Sequence, residues 1–282
     1  MGSLLRTEFH NYMTLRAFSH RTKEAYINAV AGLAKFYMQS PDKLDNRKIQ
    51  NYLLHLIEER KLAWSSCNVA FSAFRCFYIH ILHWDKPNFY LPPRSRQRQL
   101  PMLLSAEEVK KLLNAASNCK HRALLMTIYG AGLRVSEAVN LQIHHIESSR
   151  HLIRIDQGKG RKDRYTILPE ILLQELKFYW QAYHPITWLF PGPNKQKPMS
   201  IGTAQKIYYR AKANAGLSKG RGIHTLRHCF ATHLADQGTN IFTIKSLLGH
   251  TSISTTFKYL HTSSEKIASI KSPLDLLFYS DK

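Results

Sequence analysis

The sequence predicts a mainly α-helical protein with a small β-sheet or hairpin, arranged as two domains, and three observations lead to it. Apolar residues recur at helical spacing over most of the chain. A proline-rich basic stretch interrupts that pattern before residue 102. One segment, 151–168, alternates at both ends about a glycine-rich centre, as a hairpin does. With 282 residues and a 44% hydrophobic fraction, the chain is long enough to bury two cores.

Residues 1–88 read as a helical domain. Ser19-His20-Arg21-Thr22 starts a helix carrying Tyr26, Val30, Leu33, Phe36 and Tyr37 on one stripe. A second helix begins after Pro41, near Asp45-Asn46, and carries Ile49, Tyr52, Leu53, Leu56 and Ile57. A third spans about 65–82, where Val69, Phe71, Phe74, Phe77, Tyr78 and Ile81 are dense enough to read as core. Residues 89–101 form a linker: prolines and the cations Arg94, Arg96 and Arg98 exclude continuous helix or strand, and such a strap suits either solvent or a DNA backbone.

The second domain covers 102–282, with a C-terminal tail. Ser105 caps a helix with Glu108 at its third position, which is the reciprocal box that satisfies two orphan N–H groups. Helices follow at about 105–116 and 121–129, then Gly130-Ala131-Gly132 turns into a short helix beginning at Arg134-Val135-Ser136-Glu137. The hairpin holds Lys159 in its turn region, beside Arg161, Lys162 and Arg164. Further helices are expected near 170–182 and 200–215, and three more segments are broken at Gly238 and Gly249.

Forty Lys and Arg against 19 Asp and Glu give a formal charge of +21, so polyanions are the natural partners, although ribosomal or membrane-surface binding explains charge alone equally well. Cys67, Cys76, Cys119 and Cys229 form no C-x-x-C pair, which leaves neither a zinc ribbon nor a disulfide framework to read and fits a cytoplasmic location. The first residues lack a signal-peptide apolar core, and no run reaches the roughly 18 apolar residues of a membrane span.

The chemistry-bearing residues cluster late in the chain. The i,i+3 spacing of His224 and Arg227 puts an imidazole and a guanidinium on one helix face, where both reach one phosphate. His250 follows the helix-ending Gly249, and Tyr259 comes nine residues later. A tyrosine hydroxyl has a reference pKa of about 10, so it becomes a nucleophile near neutrality only with a base for its proton and cations on the phosphate. His224 and His228 are four apart, as zinc ligands can be, but Thr225 stands where the metalloprotease pattern has Glu, so no metal is expected.

Jointly these residues resemble the tyrosine recombinase or phage integrase family, most closely its compact Xer-like members. The matching segments are Gly130-Ala-Gly-Leu-Arg134-Val-Ser-Glu137, Gly158-Lys159-Gly160, His224-Thr-Leu-Arg227, Leu247-Leu248-Gly249-His250 and Tyr259. The resemblance implies a helical, SAM-like core-binding domain at 1–88, a catalytic domain at 102–282, and the catalytic set Arg134, Lys159, His224, Arg227, His250 and Tyr259. It implies site-specific breakage and rejoining of double-stranded DNA through a 3′-phosphotyrosyl bond, without ATP, metal or other cofactor. Arg134 and Arg227 would clamp the non-bridging oxygens, Lys159 would protonate the leaving 5′ oxygen, His224 would serve Tyr259 as base or hydrogen-bond partner, and His250 would donate to the phosphate. Lys162 is a nearby rival for the acid, and Glu137 buttresses Arg134 or its helix. Arg94, Arg96, Arg98, Arg161, Lys162 and Arg164 are expected DNA contacts. A clamp around DNA, a homotetrameric synapse on two sites and a cytoplasmic, nucleoid-associated, bacterial or mobile-element setting are further implications, with an accessory protein or second recombinase as a further partner. The apolar tail 263–282 is suited to pack on a neighbour or fold back in cis. Three rivals account for part of the pattern: a non-catalytic DNA-binding regulator, a monomeric type IB topoisomerase-like enzyme and a metal-dependent nuclease.

Overall fold

The computed structural model describes residues 3–93, 103–156, 163–250 and 252–256. The chain divides into two compact units, Met1–Arg98 and Gln99–Lys282.

The first unit contains α1 (Ser3–Leu15), α2 (His20–Phe36), α3 (Asn46–Glu58) and α4 (Trp64–His80). Two predicted starts hold in atomic detail: Ser19 Oγ accepts from the Thr22 N–H at 3.2 Å, and Asp45 Oδ1 accepts from the Lys48 N–H at 2.8 Å. Phe74, Phe77 and Tyr78 are fully buried, so the aromatic density of α4 serves packing. Phe36 departs from the expected stripe; it is half-exposed and leans on Tyr52 and His55 at the surface. Val69 is likewise partly exposed rather than core. Helix α1 lies outside the elements expected from sequence; its Phe9 and Met13 sit one turn apart and are both fully buried. The first residues of the expected 89–101 linker pack on this unit. Phe89 and Leu91 are buried in this unit's core, while Tyr90 exchanges hydrogen bonds with Gln50 and the Pro92 carbonyl accepts from Trp64 Nε1.

The second unit contains α5 (Ala106–Asn114), α6 (Cys119–Gly130), α7 (Val135–Val139), β1 (Ile146–Glu147), β2 (Leu152–Ile155), β3 (Arg164–Ile167), α8 (Glu170–Tyr183), α9 (Ile201–Asn214), α10 (His224–Asp236) and α11 (Ile241–Leu248). The Ser105–Glu108 box forms as expected. The sheet is antiparallel in the order β1-β2-β3, with Ile153 opposite Thr166 and Ile155 opposite Arg164. The two-residue β1 is an addition to the predicted hairpin. Alternation along β2 buries Ile153 and Ile155. Thr166 Oγ1 donates to the Ala131 carbonyl at 2.8 Å, which ties β3 to the turn before Arg134.

That turn needs glycine. Gly132 has φ +63°, and a Cβ there would lie 2.4 Å from the Phe230 ring of α10. The close approach of α10 to the Gly132 backbone lets Arg227 reach the turn. Among the described residues, no helix is long and apolar enough to cross a membrane.

Candidate active site

Helix α10 is packed on its apolar side by Leu226, Cys229 and Ala231, all fully buried, and Arg227 is drawn inward with them at 5% exposure. A buried guanidinium needs its donors satisfied. Arg227 Nη1 donates to the Gly132 carbonyl and Nη2 to the Leu248 carbonyl, each at 2.6 Å, so one planar fork joins the α6–α7 turn to the end of α11. His224, one turn earlier, stays exposed at the helix N-terminus. Surrounding protein and the Arg227 and Arg134 charges lower its pKa from the ordinary histidine value.

Gly249 ends α11 with φ +60° and ψ 48°, and the His250 N–H returns to the Lys245 carbonyl at 3.1 Å. This left-handed cap turns His250 toward Arg227. Arg227 Nη2 lies 3.1 Å from His250 Nε2, and because a guanidinium only donates, Nε2 accepts. The ring proton therefore sits on Nδ1 and is donated to Thr256 Oγ1 at 2.9 Å. Burial and then the Arg227, Arg134 and Arg164 charges push the His250 pKa down to about 4. In this arrangement His250 does not offer the Nε2 proton expected for a phosphate donor.

The sign of that shift gives a pH prediction. A histidine with a folded pKa below its unfolded value contributes full stability above about pH 6.5 and loses it as pH falls toward about 4. Between pH 7 and pH 5 the His250 share of that loss should be about 1–2 kcal/mol. Urea midpoints at the two pH values should therefore drop more for the wild type than for His250→Gln; equal drops would contradict the assignment.

Glu137 stands at the centre of the cluster. Burial would raise its carboxyl pKa, but the hydrogen bonds and charge of Arg164, joined by the Arg134 N–H and charge, hold it at about 2. Oε1 accepts from Arg134 Nη1 at 2.6 Å and Arg164 Nη1 at 3.0 Å; Oε2 accepts from the Arg134 N–H at 2.8 Å and Arg164 Nη2 at 2.9 Å. Arg227 Nη1 lies 3.6 Å from Oε2. Arg134 Nη2 also donates to the Gly249 carbonyl at 3.3 Å. The structure thus brings Arg134, Arg227 and His250 together around Glu137, with His224 at the near end of α10.

Arg164, expected among the DNA-contacting cations, is placed within this cluster: its side chain is 11% exposed, and it donates to Glu137 and the Leu247 carbonyl. Its residue type and hairpin position gave no sign of this, because the acceptors lie 27 and 83 residues away. Lys159, Arg161, Lys162 and Tyr259 lie outside the described residues, as do Arg94, Arg96 and Arg98.

Gly249 is needed for space as well as for conformation: a Cβ there would meet Arg164 Cδ at 2.7 Å and Nε at 2.9 Å. Gly249→Ala should cost about 1–2 kcal/mol for the left-handed backbone alone, and displacement of Arg164 and the adjoining turn should add to that loss. A denaturant melt checks it, and a midpoint within error of wild type would contradict it.

The candidate metal ligands are elsewhere. His144, His145 and Asp156 bring ligand-type atoms within 4.8 Å of one another. However, His145 Nδ1 accepts from the Gln142 N–H at 3.1 Å, which leaves the proton on Nε2, where it faces Asp156 Oδ2 at 3.1 Å. A cation on Nε2 would force an Nδ1 proton against another N–H. Arg154 Nε, 3.0 Å from Asp156 Oδ1, completes an ion-paired strut at the end of β2.

Residues 103–266 match the phage integrase family profile, and residues 5–86 match the phage integrase N-terminal SAM-like domain. A putative integrase/recombinase of Sinorhizobium fredii is 39% identical over 97% of this chain and 89% of its own length. The chain belongs to the phage integrase family. It is a tyrosine recombinase, an enzyme of DNA strand breakage and rejoining. The tyrosine recombinase XerA of Thermococcus kodakarensis is 31% identical over 92% of this chain and 91% of its own. A crystal structure of XerA recombinase superposes with a TM-score of 0.55 at 29% identity, covering 94% of this chain and 95% of that one. A lambda integrase dimer bound to a core site shares the fold, with a TM-score of 0.74 at 19% identity over 90% and 93% of the two chains.

Proposed function

We propose that this recombinase acts on specific sites in double-stranded DNA, and that Tyr259 cleaves one strand to leave a 3′-phosphotyrosyl bond and a free 5′ hydroxyl. The observation that carries the reading is the convergence of Arg134, Arg227 and His250 on the Glu137-anchored turns, with His224 beside them. Two planar forks in a partly buried setting are suited to the non-bridging oxygens of a pentavalent phosphorus.

Tyr259 Oη attacks phosphorus and the bond to O5′ breaks, so the phosphodiester energy is retained in the protein–DNA link. The lowered pKa of His224 keeps its ring neutral near pH 7 and able to take the tyrosine proton. Lys159 supplies a proton to O5′, with Lys162 as the alternative donor. Once phosphate oxygens take up the Arg227 donors, His250 Nε2 no longer accepts; Thr256 can then donate to Nδ1, leaving Nε2 to carry a proton to the phosphate. Attack by the 5′ hydroxyl of a second duplex reverses the chemistry and exchanges the strands. Fixed guanidiniums supply the charge that a metal provides in two-metal nucleases, so neither metal nor ATP is required.

In this reading residues 1–88 and 102–282 are the core-binding and catalytic domains, joined by 89–101. Arg94, Arg96, Arg98, Arg161 and Lys162 meet the DNA backbone, and four protomers assemble on two sites, with or without an accessory protein. Solved complexes of XerH with difH DNA and of an integrase with transposon end DNA support a DNA partner at the level of the fold. The test is exchange between two differently labelled duplexes in EDTA without ATP. Hybrid products are expected. Supercoil relaxation without exchange would favour a topoisomerase, and chelator-blocked cleavage would favour a metal nuclease.

A further inference from the structure

We propose that Arg164 is a positioning residue of the cleavage centre, setting the fork of Arg134 through Glu137 and the end of α11; this rests on the phosphate-clamp reading given above. Arg164 joins three elements. From the first position of β3, its fork makes two parallel hydrogen bonds to the Glu137 carboxylate of α7, at 3.0 and 2.9 Å, while Nε donates to the Leu247 carbonyl of α11 at 3.1 Å. Its stem fills the space that a side chain at position 249 would need.

Charge explains why this is more than a strut. Glu137 is one negative charge shared by three guanidiniums, which leaves a surplus of two positive charges facing the site. Because Arg164 occupies one lone-pair direction on each carboxylate oxygen, Arg134 is held by Nη1 and its backbone N–H only, and its Nη2 is directed to the Gly249 carbonyl at the phosphate-facing turn. Without Arg164, Arg134 becomes the principal partner of Glu137. Its fork would close on the carboxylate as an internal ion pair and turn from the phosphate. Misplacement of about 1 Å in such a group is enough to cost on the order of a hundredfold in rate.

The opposing possibility is that Arg164 is itself a phosphate ligand, as its position beside Arg161 and Lys162 suggests. The two differ in what they do to binding. A phosphate contact weakens DNA binding at every sequence and lowers the salt slope by about one; a positioning residue leaves both unchanged and slows the chemical step.

The experiment is single-turnover formation of the covalent adduct on a nicked duplex carrying the recognised site, with saturating full-length protein. It compares wild type, Arg164→Met, Arg164→Lys, Arg134→Lys and the Arg134→Lys/Arg164→Met double variant, beside DNA affinity at several salt concentrations. Arg164→Met should slow adduct formation on the order of tenfold to a hundredfold, with affinity and salt slope at wild-type values. Arg164→Lys should restore little, since one ammonium cannot span two carboxylate oxygens and the Leu247 carbonyl. It also keeps the charge and stem, so it supplies the same comparison if Arg164→Met fails to fold. In the Arg134→Lys background, Arg164→Met should add almost no further loss. A reduced salt slope, multiplying losses in the double variant, or wild-type rates in both Arg164 variants would each overturn the proposal. Absence of adduct from the wild type would instead overturn the phosphotyrosyl reading beneath it.

Discussion

Glu137→Ala is expected to remove on the order of 3–5 kcal/mol of folding stability, the range for breaking a buried charge pair by deleting one partner. Its carboxylate is 7% exposed and accepts four hydrogen bonds, so the truncation leaves Arg164, at 11%, and Arg227, at 6%, as buried cations facing one another. The α7 N-terminus also loses the acceptor for the Arg134 N–H. Because a domain's whole stability is about 5–15 kcal/mol, the loss should be plain in the urea midpoint, with an unchanged slope if unfolding remains two-state. Cleavage should fall as well, since the forks lose their common anchor. A midpoint within error of wild type would show that Glu137 is not the hub of the charge cluster.

Arg227→Lys is expected to have the largest effect on chemistry for the smallest change in charge. One ammonium cannot meet the Gly132 and Leu248 carbonyls and His250 Nε2 in place of a planar fork with separated nitrogens. The loss of cleavage should be about a hundredfold or more, by analogy with removal of a preorganised oxyanion donor. DNA affinity should change much less, because one positive charge is retained. Adduct formation against time, measured at saturating DNA, separates the two. Equal losses in affinity and rate would make Arg227 a binding residue rather than a clamp on the reacting phosphate.

Local signals carried most of the fold. The Ser19, Asp45 and Ser105 caps, the Gly249 stop and the alternation about β2 and β3 are written within a few residues of where they act. Helix α1 is harder to read, since Leu4 and Leu15 lie exposed off the stripe that Phe9 and Met13 bury. The site was legible as residue types in order, and the structure adds how Arg134, Arg227 and His250 are held. What could not be read was Arg164, whose meaning depends on a carboxylate and a carbonyl brought from α7 and α11. Nor could the His250 tautomer be read, since it is fixed by Arg227 on one side and Thr256 on the other. Long-range electrostatics has no periodicity in sequence.

The most direct test of the account is denaturing electrophoresis of protein incubated with a nicked duplex that carries its recognised site. Wild-type protein should shift to a covalent DNA adduct joined at the 3′ phosphate, and Tyr259→Phe should yield none while still binding the DNA. Persistent adduct with Tyr259→Phe would contradict the central claim.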